Sequence, residues 1–291
     1  MGLSRQQMSD LQIYTAQDRF LRANLNPFVV FWSAWRNRVL IRRLTERQLS
    51  ARYRGSMLGL LWTVITPLLM LGLYTFVFGI VLPVKWRLPE EIKSNFALLL
   101  FSGLIIYTFF AEVVTRAPSL MLENTAYIKK LVFPLEALVF TSLATASVNA
   151  LIGLGMMIAF YIAILGSPPI TVLLAPVVLL PISLTALGVS WVLASVGVFV
   201  RDIGLILNVV INVFLFFSPV FYPLSSVPEA FRFWIMLNPI TPAVESLRAV
   251  LFLGELPDAG IWCLSLVGGL VLNWLGFCWF QATRKAFADV C

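Results

Sequence analysis

The apolar positions of this chain fall in long uninterrupted runs, and the polar ones gather in the breaks between them. No residue from Gly55 to Val84 carries a charge, directly after a stretch crowded with arginine that ends at Arg54. In water such a run would need burial on every side. A bilayer supplies that burial, and about 20 mainly apolar residues cross its roughly 30 Å of hydrocarbon. Six segments reach that length, at 57–82, 96–114, 136–165, 171–199, 203–222 and 259–281. Pro67, Pro176 and Pro181 fall inside them, where a ring without an N–H frees a carbonyl and bends a helix. The pattern predicts an all-α integral membrane fold with six transmembrane helices.

Two polar breaks have a periodicity of their own. In "NPFVVFWSAWRNRVLIRRLTERQLS", at ~100° per residue, Phe28, Trp32, Trp35 and Val39 share one stripe. Arg36, Arg43 and Arg47 flank it on one side, Arg38 and Arg42 on the other. Arginine stems run along lipid while their heads reach phosphates, so 28–51 reads as an N-terminal amphipathic interface helix lying on the membrane. A helix buried in a soluble layer is the alternative. Between the fifth and sixth runs, 224–255 is rich in proline yet apolar. "SVPE" has capping-box spacing, with Ser226 as the cap and Glu229 reaching back, and Pro228 lies between them. "TPAVESLRAVLF" follows Pro239 and starts a second helix capped by Thr241, with Pro242 in its first turn. Helices of roughly 9–12 residues are about 14–18 Å long, too short to cross. They read as a re-entrant pair on the outer face, or as a loop resting on the interface.

Composition agrees: 60% of the 291 residues are hydrophobic, 12% are charged, and mean hydropathy is +0.91. Charge then sets the topology. Ten of 21 basic residues lie between Arg5 and Arg54; with both termini cytoplasmic, sixteen fall inside and five outside, as the positive-inside rule requires. Basic residues beside membrane runs explain the pI of 9.6 without nucleic acid. The polar start does not resemble a cleavable signal peptide. The chain has no histidine and no Gly-Lys dipeptide, so histidine-based catalysis and a P-loop are both excluded and ATP-driven work needs another chain. Cys263, Cys278 and Cys291 make no disulfide or zinc framework. Catalytic residues, metal ligands and cofactors are therefore not expected. A membrane enzyme would need paired carboxylates, but Glu112, Glu136, Asp202, Glu229, Glu245, Glu255 and Asp258 form no such set, and Arg201–Asp202 reads as a tight turn with an ion pair.

The loop 117–134, "APSLMLENTAYIKKLVFP", is too charged to cross; Asn124 or Thr125 can cap a short helix, and Lys129 and Lys130 suit its C-terminus. It either anchors its neighbours or docks a partner. The apolar runs carry aromatic and amide groups, Tyr74, Phe78, Phe101, Tyr107, Trp191, Phe214, Phe217 and Tyr222, with Asn208, Asn212 and Phe216 on one helical face. Packing within the bundle explains most of them. Arg52 and Arg54 close the arginine-rich stretch at the cytoplasmic end of the first run, where they can anchor the chain at the membrane face.

"ARYRGSMLGLLWTVITPLLMLGLYTFVFG", "NTAYIKKLVFPLEAL", "VFVRDIGLILNVVINVFLFFSPVFYP" and "LNPITPAVESLRAVLF" together resemble the permease subunits of type-2 ABC exporters of bacterial polysaccharides, the O-antigen, capsule and teichoic-acid group. The resemblance runs from Pro27 to Lys285. It implies a homodimer in the bacterial cytoplasmic (inner) membrane, two copies of a separate ABC ATPase, and an undecaprenyl-diphosphate-linked glycan as substrate. It also implies that 28–51, through Arg36, Arg43 and Arg47, lies against the ATPase. Asn124, Tyr127, Ile128, Lys129 and Lys130 would then form a coupling helix. Ser226, Pro228, Glu229, Trp234, Pro239, Pro242 and Glu245 would belong to an external gate. The resemblance implies, too, that Tyr74, Phe78, Tyr107, Asn208, Asn212, Phe216 and Tyr222 line a path for sugars, with a seam between helices as the alternative. It implies that Arg52 and Arg54 meet the diphosphate headgroup, with membrane anchoring as the alternative. A type-2 permease for teichoic acid, a drug or a lipid is the alternative function.

Overall fold

The computed structural model describes residues 28–52, 58–81, 96–128 and 133–290, and every regular element among them is helical. Arg54, Lys129 and Lys130 lie outside the described residues, as does the side chain of Ile128. The amphipathic run forms α1 (Phe28–Arg36) and α2 (Arg38–Arg52). Asn37 interrupts it, and its backbone N–H and side-chain amide both donate to the Ser33 carbonyl. The stripe of Phe28, Trp32, Trp35 and Val39 is exposed along its whole length, whereas Val30, Ser33 and Thr45 face inward.

A 3-10 turn at Gly59–Leu61 leads into α3 (Trp62–Thr75), which continues as a π-helical stretch, Phe76–Val81. Then come α4 (Phe96–Arg116), the short α5 (Thr125–Ile128), α6 (Glu136–Leu165), α7 (Ala175–Phe199) and α8 (Ile203–Phe216). The chain ends in α9 (Glu229–Leu237), α10 (Ile240–Arg248) and α11 (Ala259–Val290). Among the described residues four helical stretches are long and apolar enough to cross a bilayer: Phe96–Ser119, Glu136–Leu165, Ile170–Phe199 and Ala259–Arg284. The expected first and fifth crossings are the shorter apolar helices Trp62–Phe78 and Ile203–Phe216. The fifth stops early because Pro219 keeps Ser218 from continuing the helix. The Ser218 hydroxyl caps the end by donating to the Phe214 and Leu215 carbonyls.

Several local expectations are corrected. Pro176 lies in the first turn of α7, where its missing N–H has no use, so only Pro67 and Pro181 lie inside helices. The Val177 carbonyl, four residues before Pro181, instead accepts a bond from Trp262 Nε1 of α11 at 3.2 Å. Ser226 is in a 3-10 turn and caps nothing, because Pro228 occupies the N-cap of α9. Thr241 lies within α10 and donates to the Ile235 carbonyl; Asn238 Oδ1 takes the Ile240 amide in its place. Arg201 and Asp202 do form a turn, but among the described residues no ion pair joins them.

The main core is built by α4, α6, α7 and α10 with the inner face of α8, Leu207 and Ile211. A second core surrounds Trp191, which the sequence had grouped with path-lining aromatics. Its indole is wholly enclosed by Phe140, Phe277 and Phe280, with centroids 5.1–5.3 Å away, and donates to Asn273 Oδ1 at 2.9 Å. Here α7 and α11 pack backbone to backbone: a Cβ on Gly276 would overlap the Gly188 carbonyl oxygen. Small residues at a seam are how membrane helices gain contact, because lipid offers no hydrophobic drive between them.

Candidate functional site

A cavity of about 540 Å³ opens between α3, α4, α6 and α8. At one end are Arg52, Glu112 and Asn149, brought from α2, α4 and α6. Arg52 Nη1 donates to Glu112 Oε1 at 2.7 Å, and Asn149 Nδ2 lies 3.0 and 2.9 Å from the two carboxylate oxygens. Glu112 was noticed in the sequence only as a lone acid. The clue to its partner is a second polar residue in an apolar run, since such groups turn toward one another or toward water rather than lipid. The walls carry Trp62, Tyr74, Phe101, Tyr107 and Asn212.

Of the residues expected to line a sugar path, Tyr74, Tyr107 and Asn212 reach this cavity. The Tyr107 hydroxyl is also 3.4 Å from the Ile211 carbonyl, tying α4 to α8. Phe78 and Phe216 do not line it. They gather with Tyr74 around Phe221, which the sequence reading did not single out and which is buried. Phe78 stacks on Phe221 at 4.4 Å and 18°, Tyr74 lies 5.1 Å away and Phe216 5.6 Å. The Tyr222 hydroxyl donates to the Phe216 carbonyl at 2.9 Å, folding the segment after α8 back on the helix end. Asn208 is exposed and does not line the cavity, although it shares a face of α8 with Asn212 and Phe216; Leu207, Ile211 and Leu215 form the buried face. Phe101 is buried at the cavity wall, Phe214 is half-buried against the main core, and Phe217 is exposed.

The proposed docking segments meet at Tyr127. Tyr127, on α5, accepts a bond from Arg47 Nη1 at 3.0 Å and stacks on Phe133 at 4.3 Å. Asn124 turns inward, its side-chain amide donating to the Leu120 carbonyl. Arg36 covers the Trp32 ring at 5.5 Å and Arg43 is exposed. Nearby, Glu136 accepts from Arg284 Nη1 at 3.1 Å and from Ser33 at 3.4 Å, joining α11, α6 and α1.

Leu99 precedes Glu112 on α4 by 13 residues, about 20 Å along a helix, and marks the other end of the bundle. There α10 is inserted into the core, while α9 keeps only Ile235 buried. Arg248, 6% exposed, donates to the carbonyls of Pro219, Val220 and Leu99 and to Glu245 Oε1. Gly103 leaves it room: a Cβ there would stand 3.2 Å from Arg248 Nη2. Of the other residues assigned to this end, Glu229 is 3.8 Å from Arg232, Trp234 meets Phe233 edge-on, Pro239 is the α10 N-cap and Pro242 lies in its first turn.

Residues 39–252 match the ABC-2 type transporter family. The chain is 31% identical, over 87% of its length and 95% of the relative's, to a Myxococcus xanthus protein named O-antigen export system permease protein RfbA. A Klebsiella pneumoniae protein of the same name is 27% identical over 85% of this chain and 93% of its own. Polysialic acid transport protein KpsM of Escherichia coli is 18% identical over 86% and 95%. The family match begins within α2 and ends just beyond α10, so it takes in the cavity, the Arg47–Tyr127 contact and the Arg248 cluster. This helical membrane protein belongs to the ABC-2 type transporter family.

Proposed function

We propose that the chain is the permease subunit of an ATP-driven exporter that moves a lipid-linked polysaccharide, of O-antigen or capsule type, across the bacterial cytoplasmic membrane. The observation that carries this reading is similarity along nearly the full length of both chains to an O-antigen export permease. In this reading α3, α4, α6, α7, α8 and α11 are the six crossings, both termini are cytoplasmic, and α9 and α10 dip in from the outer face. Two copies form the channel, and two copies of a separate ATPase supply hydrolysis and dock against α1, α2 and α5. The undecaprenyl diphosphate end of the substrate enters past Arg52 and Arg54. Its sugars pass Tyr74, Tyr107, Asn212 and the exposed face of α8, where rings and amides offer weak, interchangeable contacts.

Deleting the gene from its native host is expected to remove the surface polysaccharide and leave its lipid-linked precursor inside, with both restored by a plasmid copy. Unchanged surface glycan in the deletion strain would refute the assignment. A second expectation concerns the path. Cysteines placed at 208, 212 and 216, with Cys263, Cys278 and Cys291 replaced, should react with a membrane-impermeant thiol reagent during ATP turnover and be shielded by a stalled glycan. Silence at all three positions in an exporting complex removes α8 from the path and makes its exposed face a seam between helices.

A further inference from the structure

The guanidinium assigned to the headgroup is already engaged. Arg52 gives Glu112 a single 2.7 Å bond through Nη1, and its side chain remains 49% exposed at the cavity end, so its other N–H groups stay available for a fork. Glu112 does not depend on Arg52 alone. Asn149 Nδ2 holds both of its oxygens, so the carboxylate keeps a hydrogen-bonding partner when the arginine leaves. Asn149 Oδ1 is buried and has no partner among the described residues. Beyond this polar end the wall is mixed: Trp62, Pro67, Met70, Leu104 and Ile105 give it apolar surface, and Tyr74, Tyr107, Thr108 and Asn212 stand among them. A polar end whose cation among the described residues is Arg52, with apolar and aromatic surface beyond it, suits an amphiphile with a phosphate-bearing head.

We propose that Glu112 is an internal competitor for the anion site at Arg52, holding the guanidinium until a diphosphate head takes it and then resting on Asn149. This rests on the reading of Arg52 as the headgroup clamp. A diphosphate wins the exchange because it accepts two parallel N–H bonds and carries more charge than a carboxylate. The exchange also changes how α2 is held. Thr45, Gln48 and Arg52 share one face of α2: Thr45 is buried, Gln48 Oε1 accepts from Thr145 at 3.0 Å, and Arg52 reaches α4. Release from Glu112 frees the last turn of α2 while Gln48 and the Arg47–Tyr127 bond remain. Cavity occupancy is thereby felt at the helix that touches α5.

The test uses the full-length chain in nanodiscs of neutral phosphatidylcholine, with binding of farnesyl diphosphate and of inorganic pyrophosphate measured by calorimetry. Part-exposed ion pairs are weak, so Glu112→Gln is expected to bind farnesyl diphosphate about two- to fivefold tighter than the native protein. Glu112→Asp, which keeps the charge on a shorter arm, should fall between them. Arg52→Lys should weaken binding and abolish the gain from Glu112→Gln in the double variant. A gain equal for pyrophosphate and farnesyl diphosphate supports the competitor and makes the head alone its target; a gain larger for farnesyl diphosphate adds the apolar cavity to the site. If neither Glu112 variant binds tighter while Arg52→Lys still binds weaker, the competitor is refuted and the clamp stands. If Arg52→Lys is neutral in both backgrounds, the clamp itself fails and the competitor with it.

Discussion

Tyr127→Lys is expected to leave the protein inserted and its ATPase partner active, yet reduce export at least tenfold. In the proposed reading the short helix α5 receives motion from the ATPase, and Tyr127 is where that helix is fastened to the rest of the chain. Its ring stacks on Phe133, just before α6, and its hydroxyl holds Arg47 of α2. Lysine removes the stack and sets a second positive charge against Arg47, so the loop and α2 separate. Tyr127→Phe separates the two contributions: it keeps the stack and loses one exposed hydrogen bond to a charged group, so export should fall only a few-fold. Adding charge at Ile128 should resemble the lysine variant. The measurements are surface glycan and ATP hydrolysis by the same purified complex. Normal export by Tyr127→Lys would remove α5 from the coupling path.

The apolar runs made the helical framework legible because length and uninterrupted hydrophobicity alone specify a crossing. The run expected at 136–165 is the helix Glu136–Leu165, and that at 96–114 begins where α4 does. Periodicity also identified the exposed stripe of α1 and α2, since a face is a local property. Partners are not. Nothing in the spacing of Arg52, Glu112 and Asn149 announces that they meet, because the contact depends on how three helices pack. Trp191 misled for the same reason: a tryptophan in an apolar run looks alike whether it lines a path or fills a core, and the deciding neighbours, Asn273, Phe277 and Phe280, lie some 80 residues later. Ser226 and Thr241 failed differently. Each had cap spacing, but the prolines at 228 and 239 set the approach of the chain and took the cap positions themselves.

Arg248→Met should be among the most destabilising single changes available, by about 3–5 kcal/mol, because it leaves buried groups that an apolar side chain cannot serve. Among the described residues the guanidinium reaches three backbone carbonyls, drawn from the start of α4 and from the turn after α8. Leu99 is held within α4, and Pro219 and Val220 in the turn after α8, so none of the three carbonyls swings easily toward another donor. Arginine suits them because its donors form a planar fork; lysine has three donors on a single nitrogen and cannot reach acceptors on opposite sides, so Arg248→Lys should recover only part of the loss. The Glu245 bond is the lesser contribution, since that carboxylate is 41% exposed and water competes for it. Glu245→Gln should therefore cost no more than about 1 kcal/mol. Thermal and denaturant unfolding in detergent order the three variants. If Glu245→Gln is as damaging as Arg248→Met, the residue works as an ion pair and the carbonyl clamp is wrong. If the predicted order holds, α10 is fastened to the bundle by backbone, and any opening at this end must move α10, the start of α4 and the turn after α8 as one unit.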